Sequence, residues 1–117
     1  IVANTNTGDF LFAGSSSGGT SGPAMLAAVA AGSLLLNQPL SVSLRAPRVL
    51  HPGMPDKVFA EPGTGDALRG RGYTVEDLQS LGQVDAIACP KGLREEARSC
   101  EVGSDPRGFG LGLGAAR

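Results

Sequence analysis

The sequence predicts a layered fold of the α+β or α/β class. Three observations carry that expectation. Short β-rich runs alternate with helical stretches along the 117 residues; one stretch, Ala24 to Leu36, is apolar on every side; and the turn Gly14-Ser15-Ser16-Ser17-Gly18-Gly19-Thr20-Ser21-Gly22-Pro23 opens directly into it. A helix without a polar face needs cover on more than one side, more than this chain is expected to supply alone. With 41% hydrophobic and 18% charged residues, the composition suits one core of about a domain's size, and the chain need not be a whole protein.

In order, Ile1 to Ala3 and Phe10 to Ala13 read as strands of a hairpin. The linker Asn4-Thr5-Asn6-Thr7-Gly8-Asp9 is rich in residues that tolerate a left-handed backbone or bond to it. After the glycine turn, Thr20 or Ser21 is expected to cap the apolar helix, with Pro23 in its first turn. Pro39 cannot continue that helix, so it ends near Asn37. Ser41 then caps a short helical turn reaching Arg45, which Pro47 stops. Val49 to Asp56, crowded with Pro and Gly, reads as an ordered surface loop before a strand over Lys57 to Glu61. Gly65 to Arg71 holds a brief helix closed by Gly70 and Gly72. Tyr73 to Val75 alternates like a strand, and Glu76 to Leu81 reads as a turn or helical turn. Val84 to Cys89 and Ser99 to Val102 form a second hairpin around Pro90 to Arg98. The glycine-rich tail Gly108 to Gly114 is either a close-packed terminal strand or flexible.

Charge narrows the partners. A net charge of −1, with no cluster of Lys and Arg, argues against nucleic acid and anionic membrane. Four Phe, one Tyr and no Trp leave few stacking platforms. Nothing resembles a signal peptide, and Ala24 to Leu36 is shorter than the roughly 20 apolar residues a bilayer requires, so a soluble chain with no membrane segment is expected. From Ile1 to Leu44 the only ionisable side chain is Asp9, which predicts an interior first part and a surface-lying second part.

The glycine turn is the strongest candidate for chemistry. A tight turn at the start of a buried helix leaves backbone N–H groups without intrahelical partners, aimed at whatever negative charge approaches. That charge is a phosphate, a carboxylate or the oxyanion of an acyl transfer. Phosphate is disfavoured because no Lys follows the glycines as in a P-loop. His51, the single histidine, lacks a nucleophile elbow and sits beside Pro52 and Gly53, which favours a structural, hydrogen-bonded role. Arg48 and Arg107 each follow a proline and read as ion-pairing or loop-pinning residues, their planar forks suited to carbonyls or a carboxylate. Cys89 and Cys100 are too few for a structural zinc site; a cross-strand disulfide and two buried thiols both remain open. No metal and no cofactor are expected.

Taken together, Gly18-Gly19, the apolar helix, Ala46-Pro47-Arg48 with His51, Met54-Pro55-Asp56, Glu61-Pro62-Gly63 and Gly103-Ser104-Asp105-Pro106-Arg107 occur in one familiar order. The chain resembles the C-terminal part of the small subunit of gamma-glutamyltranspeptidases over essentially its whole length, residues 1–117, as an incomplete domain. The resemblance implies an α+β fold, the four-layer α-β-β-α sandwich of N-terminal-nucleophile hydrolases, made from one precursor that cuts itself. It implies an N-terminal threonine that attacks a gamma-glutamyl carbonyl and passes the acyl group to water, an amino acid or a peptide. Glycines matching Gly18 and Gly19 then supply the oxyanion donors. It further implies a periplasmic or extracellular setting, the remainder of the precursor as partner, and a small gamma-glutamyl substrate such as glutathione.

The same resemblance says what this stretch does not carry. Ile1 is no nucleophile, Thr5, Thr7 and Thr20 have peptide-bonded α-amines, and the family's substrate-holding serine pair falls upstream of Ile1 rather than at Ser15 to Ser17. The carboxylate-gripping arginine belongs to the large subunit. Arg45 replaces the usual Asp or Asn, Leu50 replaces a second His, and Pro90 to Arg98 replaces an acidic glycine-rich loop, which together imply a divergent branch. A glutaryl or cephalosporin-type amide acylase on the same fold, and a non-catalytic segment that only packs against a partner, are the alternatives.

Overall fold

The computed structural model describes residues 1–114, so residues 115–117 of the expected segment lie outside the described residues. In chain order the elements are β1 (Val2–Ala3), β2 (Phe10–Ser17), α1 (Gly22–Leu34), α2 (Leu40–Arg45), β3 (Val49–Leu50), β4 (Val58–Ala60), α3 (Gly65–Arg69), β5 (Val75–Asp77), β6 (Gln83–Ala88) and β7 (Glu101–Gly103). This is the expected α+β class. The described residues form two sheets, an antiparallel one of order β1-β2-β6-β7 and a smaller one of order β3-β4-β5.

The larger sheet is built on β6, whose side chains alternate with the period of a half-buried strand. Val84, Ala86 and Ala88 turn inward while Gln83, Asp85 and Ile87 stay exposed. They meet Phe12 from β2, Met25 and Val29 from α1, and Leu40 and Leu44 from α2 in one core. β2 pairs with β6 from Phe12 opposite Ala88 to Ser17 opposite Gln83. Ser15 to Ser17, read in sequence as part of the turn, therefore continue the strand, because β6 supplies the ladder partner that polar composition conceals.

α1 buries Met25, Val29, Gly32 and Ser33 and leaves Ala27 and Ala28 exposed. Leu35 and Leu36 are also open to solvent, so this chain does not cover the apolar stretch by itself. The helix stops where expected: Asn37 takes a left-handed φ of 52°, and the N–H of Gln38 reaches back to the Gly32 carbonyl at 3.0 Å. Gly32 also permits close approach of α2, since a Cβ there would lie 2.6 Å from Ser43 Oγ. Neither expected cap makes a side-chain bond to its helix. Instead, the N–H of Leu40 donates to Glu101 Oε2 on β7 at 2.9 Å, a cap supplied from 61 residues away.

The smaller sheet differs from expectation in its boundaries. Val49 and Leu50 lie in β3, opposite Ala60 and Phe59, and only His51 to Asp56 form the loop. β5 begins at Val75 rather than Tyr73 and includes Glu76 and Asp77, pairing in parallel with β4 through the α3 crossover. Strands this short take their register from a neighbour rather than from their own pattern. Burial also departs from the charge-based expectation. Ile1 to Gly8 and Ser15 to Thr20 are exposed, whereas Arg48, Glu61 and Asp105 from the charge-rich part are buried.

Cys89 and Cys100 form a disulfide at the far end of β6 from the glycine turn. Asp9 is buried and accepts from the N–H of Arg94, which ties the first hairpin to the Cys-flanked loop. The tail from Gly108 to Gly114 contains no strand; its Gly112 lies against Gly103 of β7, and Phe109, Leu111 and Leu113 point outward. Among the described residues no helix is long and apolar enough to cross a membrane. Leu40, 1% exposed in the core, provides a measure of this packing. In the full-length protein, Leu40→Ala is expected to cost about 2–5 kcal/mol in urea denaturation, and a loss below about 1 kcal/mol would place Leu40 outside the cooperative core.

Candidate functional site

β2 ends at Ser17 and α1 begins at Gly22, so the chain must reverse within the residues between them. Gly18 does so with φ 119° and Gly19 with φ 62°, conformations that suit glycine. The Gly18 carbonyl is held by Ser21, whose Oγ donates at 2.8 Å and whose backbone N–H donates at 3.3 Å. The amides are different: among the described residues, nothing accepts from the N–H of Gly18 or Gly19, and both residues are exposed. Two unpartnered donors thus sit beside the positive end of α1.

Gly18 and Ser21 border a cavity of about 560 Å³ between the glycine turn and the smaller sheet. Ser80, Leu81 and Gly82 form its floor, and Leu50, Phe59 and Leu78 its apolar wall. None of the lining side chains is charged. Gly82 is packed directly behind the turn, where a Cβ added to Gly18 would come within 2.6 Å of the Gly82 Cα.

Behind this floor lies a buried ionic network. Arg48 Nη2 donates to Asp105 Oδ2 at 2.5 Å, and its Nη1 donates to the carbonyls of Leu81 at 3.0 Å and Gly82 at 2.9 Å. Asp105 Oδ2 also accepts from the N–H of Val84 at 2.8 Å. Arg107 forms a two-pronged pair with Glu61, one prong being Nε to Oε1 at 2.6 Å, and donates to the carbonyls of Leu44 and Ala46. Glu61 in turn accepts from the backbone N–H of Leu81 at 2.6 Å and of Arg48 at 3.0 Å. Among the described residues no buried side-chain polar atom lacks a partner, the condition under which buried charges are tolerated.

The expected loop-pinning roles of Arg48 and Arg107 are what the structure shows, and it brings the two together through Asp105 and Glu61. Sequence reasoning missed those carboxylates and Gly82. A signal was present, since Glu61 and Asp105 each precede a proline just as Arg48 and Arg107 each follow one. His51 is elsewhere, in an exposed loop, with Nε2 3.1 Å from Asp56 Oδ1 and Nδ1 accepting from Gly53 N–H. Among the described residues no group of His, Cys, Asp and Glu is arranged to hold a metal ion.

The sequence model of the gamma-glutamyltranspeptidase family matches residues 1–115. The chain belongs to the gamma-glutamyltranspeptidase family. The gamma-glutamyltranspeptidase of Pseudomonas nitroreducens, solved with L-DON, is 27% identical with a TM-score of 0.79, covering 98% of this chain and 61% of its own. That of Helicobacter pylori, a T380A mutant, is 24% identical with a TM-score of 0.73, covering 92% of this chain and 59% of its own. The transpeptidase CapD of Bacillus anthracis shares the fold at 16% identity and a TM-score of 0.58, with 82% and 58% covered. The chain therefore spans about three fifths of the length of these family structures. No sequence among curated proteins matches it.

Electrostatics give the network a pH signature. Burial pushes the Glu61 carboxyl up, but the Arg107 side chain and the N–H groups of Leu81 and Arg48 outweigh it and hold it below its ordinary value of 4.5. Burial likewise raises Asp105, and the N–H of Arg107, the Arg48 side chain and the N–H of Val84 hold it below 3.8. Carboxylates lowered in the folded state contribute stability that is complete above their unfolded values and is lost as the pH falls through the folded ones. The thermal stability of the full-length protein is thus expected to fall progressively below about pH 4.5. Glu61→Gln should lower the midpoint at pH 7 and flatten that slope, whereas an unchanged slope would show that Glu61 does not carry the acid transition.

Proposed function

We propose that the protein to which this chain contributes transfers or hydrolyses the gamma-glutamyl group of glutathione and related gamma-glutamyl compounds through an acyl-threonine intermediate. On this reading the chain is the C-terminal segment of the small subunit and supplies oxyanion donors, while the threonine and the carboxylate-binding residues belong to the rest of a self-cleaving precursor. The observation that carries it is the pair of unpartnered amides at Gly18 and Gly19, side by side at the head of α1 and next to an uncharged cavity. Family membership supports the reaction class.

The chemistry follows from that placement. The threonine oxygen bonds to the gamma carbonyl carbon, its proton passes to the threonine's own α-amine, and the carbonyl electron pair moves onto oxygen. Gly18 and Gly19 donate to that oxygen as charge develops. Collapse returns the electron pair, breaks the bond to the leaving amine and delivers the proton to it; water or an amine then repeats the sequence to release the acyl group. Fixed donors in an uncharged site need no reorganisation when the charge appears, and one such donor is worth roughly 3–4 kcal/mol elsewhere. The head of α1 adds a field of the right sign.

The full-length protein is expected to release aniline from a gamma-glutamyl anilide, and the isolated chain to release none. Gly18→Ala, which forces the turn off Gly82, should lower kcat by about 100-fold or more. Full activity in Gly18→Ala, or turnover by the isolated chain, would contradict the assignment. A glutaryl amide cleaved in preference to the gamma-glutamyl one would move the reading to an amide acylase.

A further inference from the structure

We propose that Arg48 is a positioning residue for the oxyanion corner, acting through the backbone of Gly82. The inference rests on the role given above to Gly18 and Gly19. Arg48 is only 5% exposed and touches neither the cavity nor the two amides. Its Nη1 instead clamps two successive carbonyls, Leu81 and Gly82, while Nη2 is anchored on Asp105 Oδ2 and approaches the Leu44 carbonyl at 3.5 Å. The clamped residue is the one that backs the turn. Gly82 sits at φ 65°, and a Cβ added to it would lie 3.0 Å from the Ser17 carbonyl oxygen, just as one added to Gly18 would collide with the Gly82 Cα. Backbone rests on backbone there, with the Ser21 hydroxyl beside the contact.

Movement of the Gly82 carbonyl is therefore passed to Gly18, and with it to the direction of the unpartnered amides. The opposite side of Gly82 is fixed as well. Glu61 holds the Leu81 N–H and Asp105 holds the Val84 N–H, so the segment is tied at Leu81, Gly82 and Val84. A lysine retains the charge opposite Asp105 but is a point donor without the planar fork that reaches Asp105 and the carbonyls together. Arg107 provides the contrast. It shares Glu61 and Asp105 with Arg48, yet its remaining donors go to the carbonyls of Leu44 and Ala46 and none to Leu81 or Gly82.

Kinetics on the full-length protein with a gamma-glutamyl anilide, beside thermal melts, separate positioning from bulk stability. Arg48→Lys and Arg107→Lys are both expected to lower Tm. Only Arg48→Lys should lower kcat, by about 10 to 100-fold, at nearly constant KM, because misdirected amides bind the ground-state carbonyl no worse than they did. Equal kcat losses in the two variants at matched loss of Tm would overturn the positioning role. If Arg48→Lys does not fold, Gly82→Ala disturbs the same contact from the other side and should show the same drop in kcat; an unchanged kcat there overturns the proposal too. Absence of turnover in the unsubstituted protein is a different result, since it removes the reaction assignment and the inference with it.

Discussion

The structure depends on four charges held together, three of them buried and Arg107 half-buried. Arg48, Glu61, Asp105 and Arg107 come from three loops, and their contacts, with the ladder to β2, fix the segment Leu81 to Val84. Such a network gives little net stability relative to an apolar core, but loss of one partner leaves a buried charge exposed to its full desolvation cost, of order 3–5 kcal/mol. The network thus joins the loops after α2, β4 and β7.

The consequence reaches the site because the network and the glycine turn share a wall. β6 begins at Gln83, directly after the clamped residues, and pairs with the end of β2 from which the turn departs. The core under α1 and α2 fixes the face of the sheet; the ion network fixes the start of β6. Between them the turn is held on both sides while its two amides remain unbonded. A lining free of charged side chains matters for the same reason, since a nearby carboxylate would compete for the amides and a nearby ammonium would attract water and counterions into the space.

Much of the fold was legible in the sequence, and the limits have physical causes. α1 announced itself by an apolar run with Pro39 beyond its end, and β6 by the strand-like run Val84 to Cys89. The glycine turn was legible because few other sequences enter a buried helix so abruptly. Arg48 and Arg107 were legible as pinning residues from their prolines, but their carboxylate partners were not, because a pairing between residues 46 apart, as for Glu61 and Arg107, leaves no local trace. The same applies to Glu101 capping α2 from a distance. β3 escaped and β5 was placed two residues early because strands of two or three residues are defined by what lies beside them. Ser15 to Ser17 read as turn since composition speaks for exposure, which is correct, and not for pairing, which β6 imposes.

The central claim is that the amides of Gly18 and Gly19 receive the negative charge of an acyl-transfer intermediate. It is tested most directly by a crystal structure of the full-length protein trapped with a gamma-glutamyl boronate, whose tetrahedral adduct imitates that intermediate. An adduct oxygen is expected about 2.7–3.1 Å from both amide nitrogens. An adduct whose oxygens all point away from the turn, with the two amides still unbonded, would contradict it.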